Sequence, residues 1–65
     1  MKITLKAARI NADLTQQGVA DKLGVSKHTI FNWEGGITKP KKHTLMVLAS
    51  IYNVNVDDIK GWILF

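Results

Sequence analysis

The apolar positions of residues 15–34 form two short helical patterns on either side of a glycine. The first pattern recurs at i, i+1 and i+4 and gives a helix one apolar stripe, at Val19, Ala20 and Leu23. In the second, Ile30 and Trp33 are three residues apart and share one face of a helix. We therefore predict two amphipathic helices, each with one buried side.

The residues that begin and end these two helices indicate a tight connection. Thr15 and Ser26 can each cap a helix, because a side-chain oxygen there accepts a backbone N–H that the helix leaves unpaired. Gly24 can adopt the left-handed conformation that ends the first helix, and Val25 follows as a buried residue. Two helices joined by a turn of about four residues that contains Gly are typical of the helix-turn-helix motif.

Three further helical segments are predicted around this motif. The first runs from residue 5 to about residue 12, and the next runs from about residue 42 to residue 52. The latter has a clear inward stripe at Leu45, Leu48, Ala49 and Tyr52. A short turn or helix around residues 57–60 would let Ile59 close the base of the core. The predicted fold class is all-α, a compact bundle of four to five short helices.

A chain of 65 residues is one small domain. We assign residues 1–60 to this domain and residues 61–65 to an apolar tail that begins with Gly61. The tail is expected to pack on the core or to contact another subunit, because an apolar patch of this kind is rarely left in water. Since the sequence stops abruptly at Leu64-Phe65, a fragment of a longer protein is an alternative.

Arg9 lies among the inward-facing residues of the first helix, where a charge is costly unless it is paired. Glu34, at the end of the second motif helix, is its expected partner. Such a pair could resemble a catalytic dyad, but a structural ion pair is the stronger interpretation.

Composition argues against several other functions. There is no Cys for a disulfide or a thiolate metal site, and His28 and His43 have no metal-ligand spacing with the scattered carboxylates. Neither a signal peptide nor a run of 18 apolar residues is present. We expect a cytoplasmic protein that is not an enzyme, with no metal, no cofactor, no small-molecule ligand and no membrane partner.

Positive charge is concentrated in one part of the chain. The net charge is +4, and residues 27–43 hold four Lys and one Glu before the two His are counted. A solvated surface would explain an isolated run of charge. Beside a helix-turn-helix pattern, an anionic partner such as nucleic acid is the better explanation.

With these residues assembled, the sequence resembles the Cro/C1-type helix-turn-helix family, a group of phage-repressor-like regulators. The resemblance covers roughly residues 3–59 and rests on LTQ (14–16), VA..LGVS (19–26), I..WE.G (30–36) and P...TL..LA (40–49). It implies a lambda-repressor-like five-helix domain that binds operator DNA as a dimer and usually represses transcription.

Three positions depart from the family pattern. Gly18 stands where Glu often completes a capping box with Thr15, and a Gly in the middle of a helix, as we expect Gly18 to be, costs about 1 kcal/mol relative to Ala. We therefore expect low stability unless another group approaches the backbone closely there. Gly35 replaces a commoner Asn, and either residue can take positive φ. Phe31 replaces a small or polar residue, which adds an apolar group to the expected reading surface.

Four residues on the outer face of the second motif helix are the candidates for reading bases: Lys27, His28, Phe31 and Asn32. In this motif the N-terminal part of that helix enters the major groove. Lys27 can donate to guanine, and Asn32 can make a bidentate pair with adenine. His28 can read guanine N7 or bind a phosphate. Phe31 can rest on a thymine methyl, with partial packing against the domain as an equal alternative.

Six residues are candidates for phosphate contacts that position the protein without reading sequence: Gln16, Gln17, Thr29, Lys39, Lys41 and Lys42. The two glutamines begin the first motif helix, whose N-terminal N–H groups suit an anion. The lysines lie before and at the start of the helix that begins near residue 42. Positive side chains there oppose the helix dipole, so an external anion explains them better.

The leading hypothesis is a sequence-specific double-stranded DNA-binding regulator, expected to be a homodimeric repressor of phage or prophage type. The dimer contact is placed on the C-terminal segment. The alternative is a protein-interaction module, such as an antitoxin or an anti-repressor partner, that uses Phe31, Ile37 and the apolar tail.

Overall fold

The computed structural model describes residues 2–59, so Lys60 and the apolar tail 61–65 lie outside the described residues. Within that range the chain forms four α-helices and one short 3₁₀ helix, which confirms the all-α prediction. Their bounds are α1 Leu5–Asn11, α2 Gln16–Leu23, α3 Lys27–Glu34, α4 Lys42–Tyr52 and the 3₁₀ helix Val56–Asp58.

Local caps fix where the first three helices begin. The side chains of Thr4, Thr15 and Ser26 accept backbone N–H groups three residues later, at 3.1, 2.9 and 3.2 Å. Gly24 ends α2 with a left-handed conformation (φ 71°), and Asn53 ends α4 in the same way (φ 57°). The short polar side chain of Asn tolerates this conformation better than most residues.

Two of the predictions about glycines need correction. Gly18 does not lie in the middle of a helix; it is the third residue of α2, in the first turn. A Cβ added there would lie 3.1 Å from Thr15 Oγ1, so a close neighbour is present. Positive φ falls on Gly36 (φ 75°) and not on Gly35 (φ −83°), because Gly35 continues the helical turn and the next residue reverses the chain.

The helices meet in one core with two adjoining parts. The larger part contains the buried residues Ala8, Val19, Ala20, Ile30, Leu48 and Tyr52. The smaller part lies under the 3₁₀ helix and contains Leu45, Ala49 and Ile59. Leu5 and Val54 pack against both parts and therefore join them. The apolar stripes predicted for α2, α3 and α4 all face this core.

The two ends of the described chain meet beside the smaller part of the core. Ile3 and Ile59 form an isolated parallel β-bridge, in which the Ile3 N–H donates to the Asp58 carbonyl at 2.7 Å. Lys2 Nζ donates to the Asp57 carbonyl, also at 2.7 Å. The bridge and the Lys2 hydrogen bond position the 3₁₀ helix over the core. Neither was predicted from the sequence.

Candidate nucleic-acid interface

The connection between α2 and α3 is held by short hydrogen bonds. The Val25 N–H donates to the Ala20 carbonyl at 3.0 Å, which closes the turn after Gly24. Ser26 Oγ then accepts the Thr29 N–H and shares a second hydrogen bond with Thr29 Oγ1 at 3.0 Å. The Thr29 hydroxyl, a predicted phosphate contact, is therefore already held by the residue that caps α3.

The outer face of α3 carries the four candidate base-reading residues within two helical turns. Lys27 and His28 are exposed in the first turn, whereas Asn32 is half-buried in the second. Phe31 leaves 51% of its surface exposed, and Ile30, the preceding residue, leaves 1%. The abrupt change between neighbours shows that α3 has one buried side and one side open to an external partner.

Two of these side chains contact each other. The rings of His28 and Phe31 are stacked, with centroids 5.9 Å apart and planes inclined by 16°. This distance lies in the range that aromatic pairs prefer. The spacing of three residues along a helix places the two side chains on one face and is the signal from which this contact could be predicted.

The two glutamines at the start of α2 are both hydrogen-bonded to carboxylates of the protein itself. Gln16 Nε2 donates to Glu34 Oε1 at 3.1 Å, and Gln17 Nε2 donates to Asp21 Oδ1 at 2.8 Å. Each amide nitrogen has a second hydrogen that can still serve an external acceptor. The carboxylates therefore fix the orientation in which these amides can meet a ligand.

The predicted ion pair between Arg9 and Glu34 is present under α3. Arg9 Nε donates to Glu34 Oε2 at 2.7 Å and Nη2 donates to Oε1 at 3.3 Å, while the side chains are only 11% and 5% exposed. Arg9 Nη1 also donates to the Leu14 carbonyl at 2.9 Å. With Gln16 added, Glu34 holds α1, α2 and α3 together. Neither Gln16 nor Leu14 was predicted as a partner.

Burial and charge shift two pKa values around this pair. Hydrogen bonding to Glu34 raises the pKa of Arg9, although burial acts in the opposite direction. The pKa of Tyr52 rises to about 12, first because its phenol is buried and then because the Glu34 carboxylate is near; Arg9 opposes this effect. Arg9 therefore remains charged and Tyr52 remains neutral at neutral pH.

The basic residues after α3 lie on exposed chain. Lys39, Lys41 and Lys42 are exposed, and Pro40 between them is half-buried. Among the described residues, no side chain caps α4 and no acid lies in its first turn. The start of α4 thus has positive side chains next to backbone N–H groups, the environment that an anion prefers.

Other kinds of site find little support in residues 2–59. This range contains no group of three His, Cys, Asp or Glu that could hold a metal ion, and none of its helices is long and apolar enough to cross a membrane. An open depression beside α3 is lined by Lys6, Gln16, Phe31, Glu34 and Gly35. It borders the outer face of α3 and does not form a separate enclosed cavity.

The arrangement of α2 and α3 defines a helix-turn-helix protein. The model of that family matches residues 5–59, and the chain belongs to the helix-turn-helix family of the Cro/C1 type. The predicted family resemblance is therefore confirmed over almost the whole described range. No solved structure matches the chain significantly.

Three relatives show how far the similarity extends. The chain is 37% identical over 57 residues to the HTH-type transcriptional regulator ImmR of Bacillus subtilis, which covers 88% of this chain and 45% of that protein. It is 34% identical over 55 residues to the cryptic phage CTXphi transcriptional repressor RstR of Vibrio cholerae, covering 85% and 50%. An uncharacterized HTH-type transcriptional regulator of Methanocaldococcus jannaschii is 39% identical over 59 residues, covering 91% and 89%. The chain spans about half the length of ImmR and RstR.

Proposed function

We propose that this chain binds double-stranded DNA sequence-specifically and regulates transcription as a repressor of phage or prophage type. The observation that carries the proposal is the outer face of α3, where Lys27, His28, Phe31 and Asn32 surround an open surface on the second helix of the motif. The similarity to RstR, a phage transcriptional repressor, supports the regulatory type. Such a protein works where the DNA is, in the cytoplasm.

The outer face of α3 suits base edges in the major groove. An α-helix with its side chains is about 10–12 Å across, which fits the roughly 12 Å width of that groove. Lys27 donates to guanine and Asn32 pairs with adenine, while Phe31 contacts a thymine methyl. His28 adds a donor next to Lys27. The buried inner face of α3 keeps these groups in a fixed arrangement.

Contacts to phosphates would hold α3 in the groove. Gln16 and Gln17 lie at the N-terminus of α2, where each amide keeps a free hydrogen after binding its carboxylate. Thr29 adds its hydroxyl. Lys39, Lys41 and Lys42 would approach the DNA backbone from the loop and the start of α4. These contacts raise affinity for any sequence and so make binding depend on salt.

A single α3 contacts too few bases for tight binding to an operator, so we propose that two copies bind together. Two half-sites about one helical turn apart would then be read by two copies of α3. The C-terminal segment, residues 61–65, remains our proposed dimer contact. If removal of Trp62 and Phe65 leaves the cooperativity between half-sites unchanged, that placement is wrong.

Selection of bound DNA from a random pool tests the proposal directly. We expect an enriched palindromic sequence whose half-sites reveal the spacing of two copies. Equal affinity for the selected sequence and for random DNA at physiological salt would contradict sequence-specific regulation. A reporter gene placed behind the selected sequence then distinguishes repression from activation.

Two substitutions separate reading from positioning. Asn32→Ala should relax the preference at one base pair and leave the salt dependence unchanged. Lys41→Ala should weaken binding to all sequences alike and reduce the salt slope by about 1. Lys2→Ala is the charge-matched control; because Lys2 Nζ also donates to the Asp57 carbonyl, thermal unfolding of this variant is measured alongside. A change in base preference with Lys41→Ala would contradict its assigned role.

A protein-interaction function is the second candidate, and exposed apolar side chains favour it. Ile37 is 67% exposed and Met46 is 52% exposed, in addition to Phe31. Sedimentation at micromolar concentration distinguishes the two functions. A tight complex with another protein and no detectable DNA binding would support the interaction module.

A further inference from the structure

The rings of His28 and Phe31 are stacked on the outer face of α3, although the base contacts proposed for each residue alone do not require them to touch. Both side chains leave the same side of α3, and their centroids lie 5.9 Å apart. Phe31 keeps about half of its surface exposed in spite of the stack. One side of its ring therefore restrains His28, and surface remains for an external contact.

The separation of His28 and Phe31 along the axis of α3 is close to the separation of neighbouring bases in DNA. Three residues of an α-helix rise by about 4.5 Å, which compares with roughly 3.4 Å between successive bases of one strand. A side chain at residue 28 and a side chain at residue 31 therefore reach adjacent base pairs when α3 lies in the groove. Their reading of DNA is then coupled by the contact between the rings.

We infer that Phe31 determines specificity partly through His28, and that the stacked pair reads a guanine and a neighbouring thymine as one unit. In this arrangement a His28 N–H donates to the guanine acceptors, and the exposed part of Phe31 covers the thymine methyl. Phe31 is also a positioning residue for His28. The inference rests on the proposed function and deepens it by naming the base step.

The physical basis is restraint of the His28 ring before DNA arrives. Immobilising a side chain at an interface costs about 0.5–1.5 kcal/mol, which corresponds to about two- to tenfold in affinity. A ring already stacked on Phe31 has lost part of this freedom in the free protein. Removing the stack should therefore lower the preference for guanine by about two- to tenfold, even though His28 itself is unchanged.

Selection from a random pool with four proteins tests this inference: the unaltered chain, His28→Ala, Phe31→Leu and Phe31→Tyr. His28→Ala identifies the base pair that His28 reads, because the preference there should be lost. Phe31→Leu keeps an apolar group for the thymine methyl but removes the ring. We expect it to weaken the preference at the base pair of His28, whereas Phe31→Tyr, which keeps the ring, should retain that preference.

Nuclear magnetic resonance of the free proteins provides a readout independent of DNA. The ring current of Phe31 should shift the His28 ring protons upfield in the unaltered chain and in Phe31→Tyr. In Phe31→Leu these resonances should move back downfield. Phe31 is half-exposed, so thermal unfolding of the variants should stay close to that of the unaltered chain and serve as the folding control.

The outcomes separate this inference from the proposed function. If the unaltered chain enriches a sequence but Phe31→Leu leaves the preference at the base pair of His28 unchanged, the coupling is wrong. Identical His28 resonances in the unaltered chain and Phe31→Leu also overturn it, as does a His28→Ala variant with unaltered preferences. If the unaltered chain itself enriches no sequence, the proposed function fails, and this inference fails with it.

Discussion

The inner and outer faces of α3 differ in how closely the surrounding protein holds them. On the inner face, Ile30 is 1% exposed and the Glu34 side chain is 5% exposed. On the outer face, Phe31 is 51% exposed, and its ring stacks on that of a neighbour on the same helix, His28. The inner face is thus fixed by residues from other helices, and the outer face by residues within α3.

This difference indicates that folding and recognition depend on separate residues of one helix. Substitutions on the inner face should change the free energy of unfolding, because they remove contacts with α1 and α2 and packing in the shared core. Those on the outer face should change DNA preference and leave stability nearly constant. A substitution on one face that changes the property assigned to the other face would contradict this separation.

Removing the Glu34 carboxylate should have the largest effect on stability. The Arg9 side chain is 11% exposed, and Glu34→Ala removes the countercharge of its guanidinium, so we expect a loss of about 3–5 kcal/mol in the free energy of unfolding. Urea denaturation followed by circular dichroism measures this loss. The double variant Arg9→Met/Glu34→Leu should recover most of it, because no uncompensated charge remains. A loss below about 1 kcal/mol for the single variant would show that the ion pair does not hold the inner face.

Neighbouring residues on the two faces provide the most direct comparison. Ile30→Ala should cost about 3 kcal/mol because it leaves a cavity in the core. Phe31→Ala should cost less than about 1 kcal/mol, since half of that side chain is already in water. Thermal unfolding and DNA selection are measured on both. If Ile30→Ala alters base preference while folded, the two faces are coupled.

High pH should destabilise the core on which the inner face of α3 packs, because Tyr52 of α4 belongs to that core. Its pKa is about 12 in the folded protein and about 10 when unfolded, so the unfolded chain ionises first. The contribution of Tyr52 to the free energy of unfolding is fully present below pH about 10. It is lost as the pH rises towards 12, and the total loss is on the order of 2 kcal/mol. Tyr52 is the single tyrosine, so the tyrosinate absorbance reports it alone. In Tyr52→Phe this part of the pH dependence should disappear.

The smallest effect is expected at Gly18, at the start of α2. Ala raises helix propensity by up to about 1 kcal/mol, but its Cβ would lie 3.1 Å from Thr15 Oγ1. We expect Gly18→Ala to change stability by less than about 0.5 kcal/mol. In a Thr15→Ala background the oxygen is absent and the same substitution should be more favourable, which a double-mutant cycle measures. An equal effect in both backgrounds would contradict the role of this contact.

The sequence predicts the helices well because their limits are encoded locally. Thr15, Ser26 and Gly24 act on backbone groups within a few residues, so their roles do not depend on the rest of the fold. The ion pair of Arg9 and Glu34 was also predictable, because a charge on an inward stripe requires a partner.

The contacts that could not be predicted from the sequence depend on how distant parts of the chain approach one another in the fold. Gln16 reaches Glu34 across 18 positions of chain, and the bridge between Ile3 and Ile59 joins the two ends of the described range. Nothing in the local sequence marks either contact. The stack of His28 on Phe31 is local, but helical spacing indicates only that the rings can meet and not that they do.

The β-bridge between Ile3 and Ile59 has a consequence for chain topology. Because these residues are adjacent, a peptide linker between the two ends of the domain would have a short distance to cover and would make the backbone circular. Closing a loop of this size removes conformational freedom from the unfolded chain and, in the chain-entropy model, is worth about 4 kcal/mol. A circular form would therefore resist heat and exopeptidases without a change to any residue of α3.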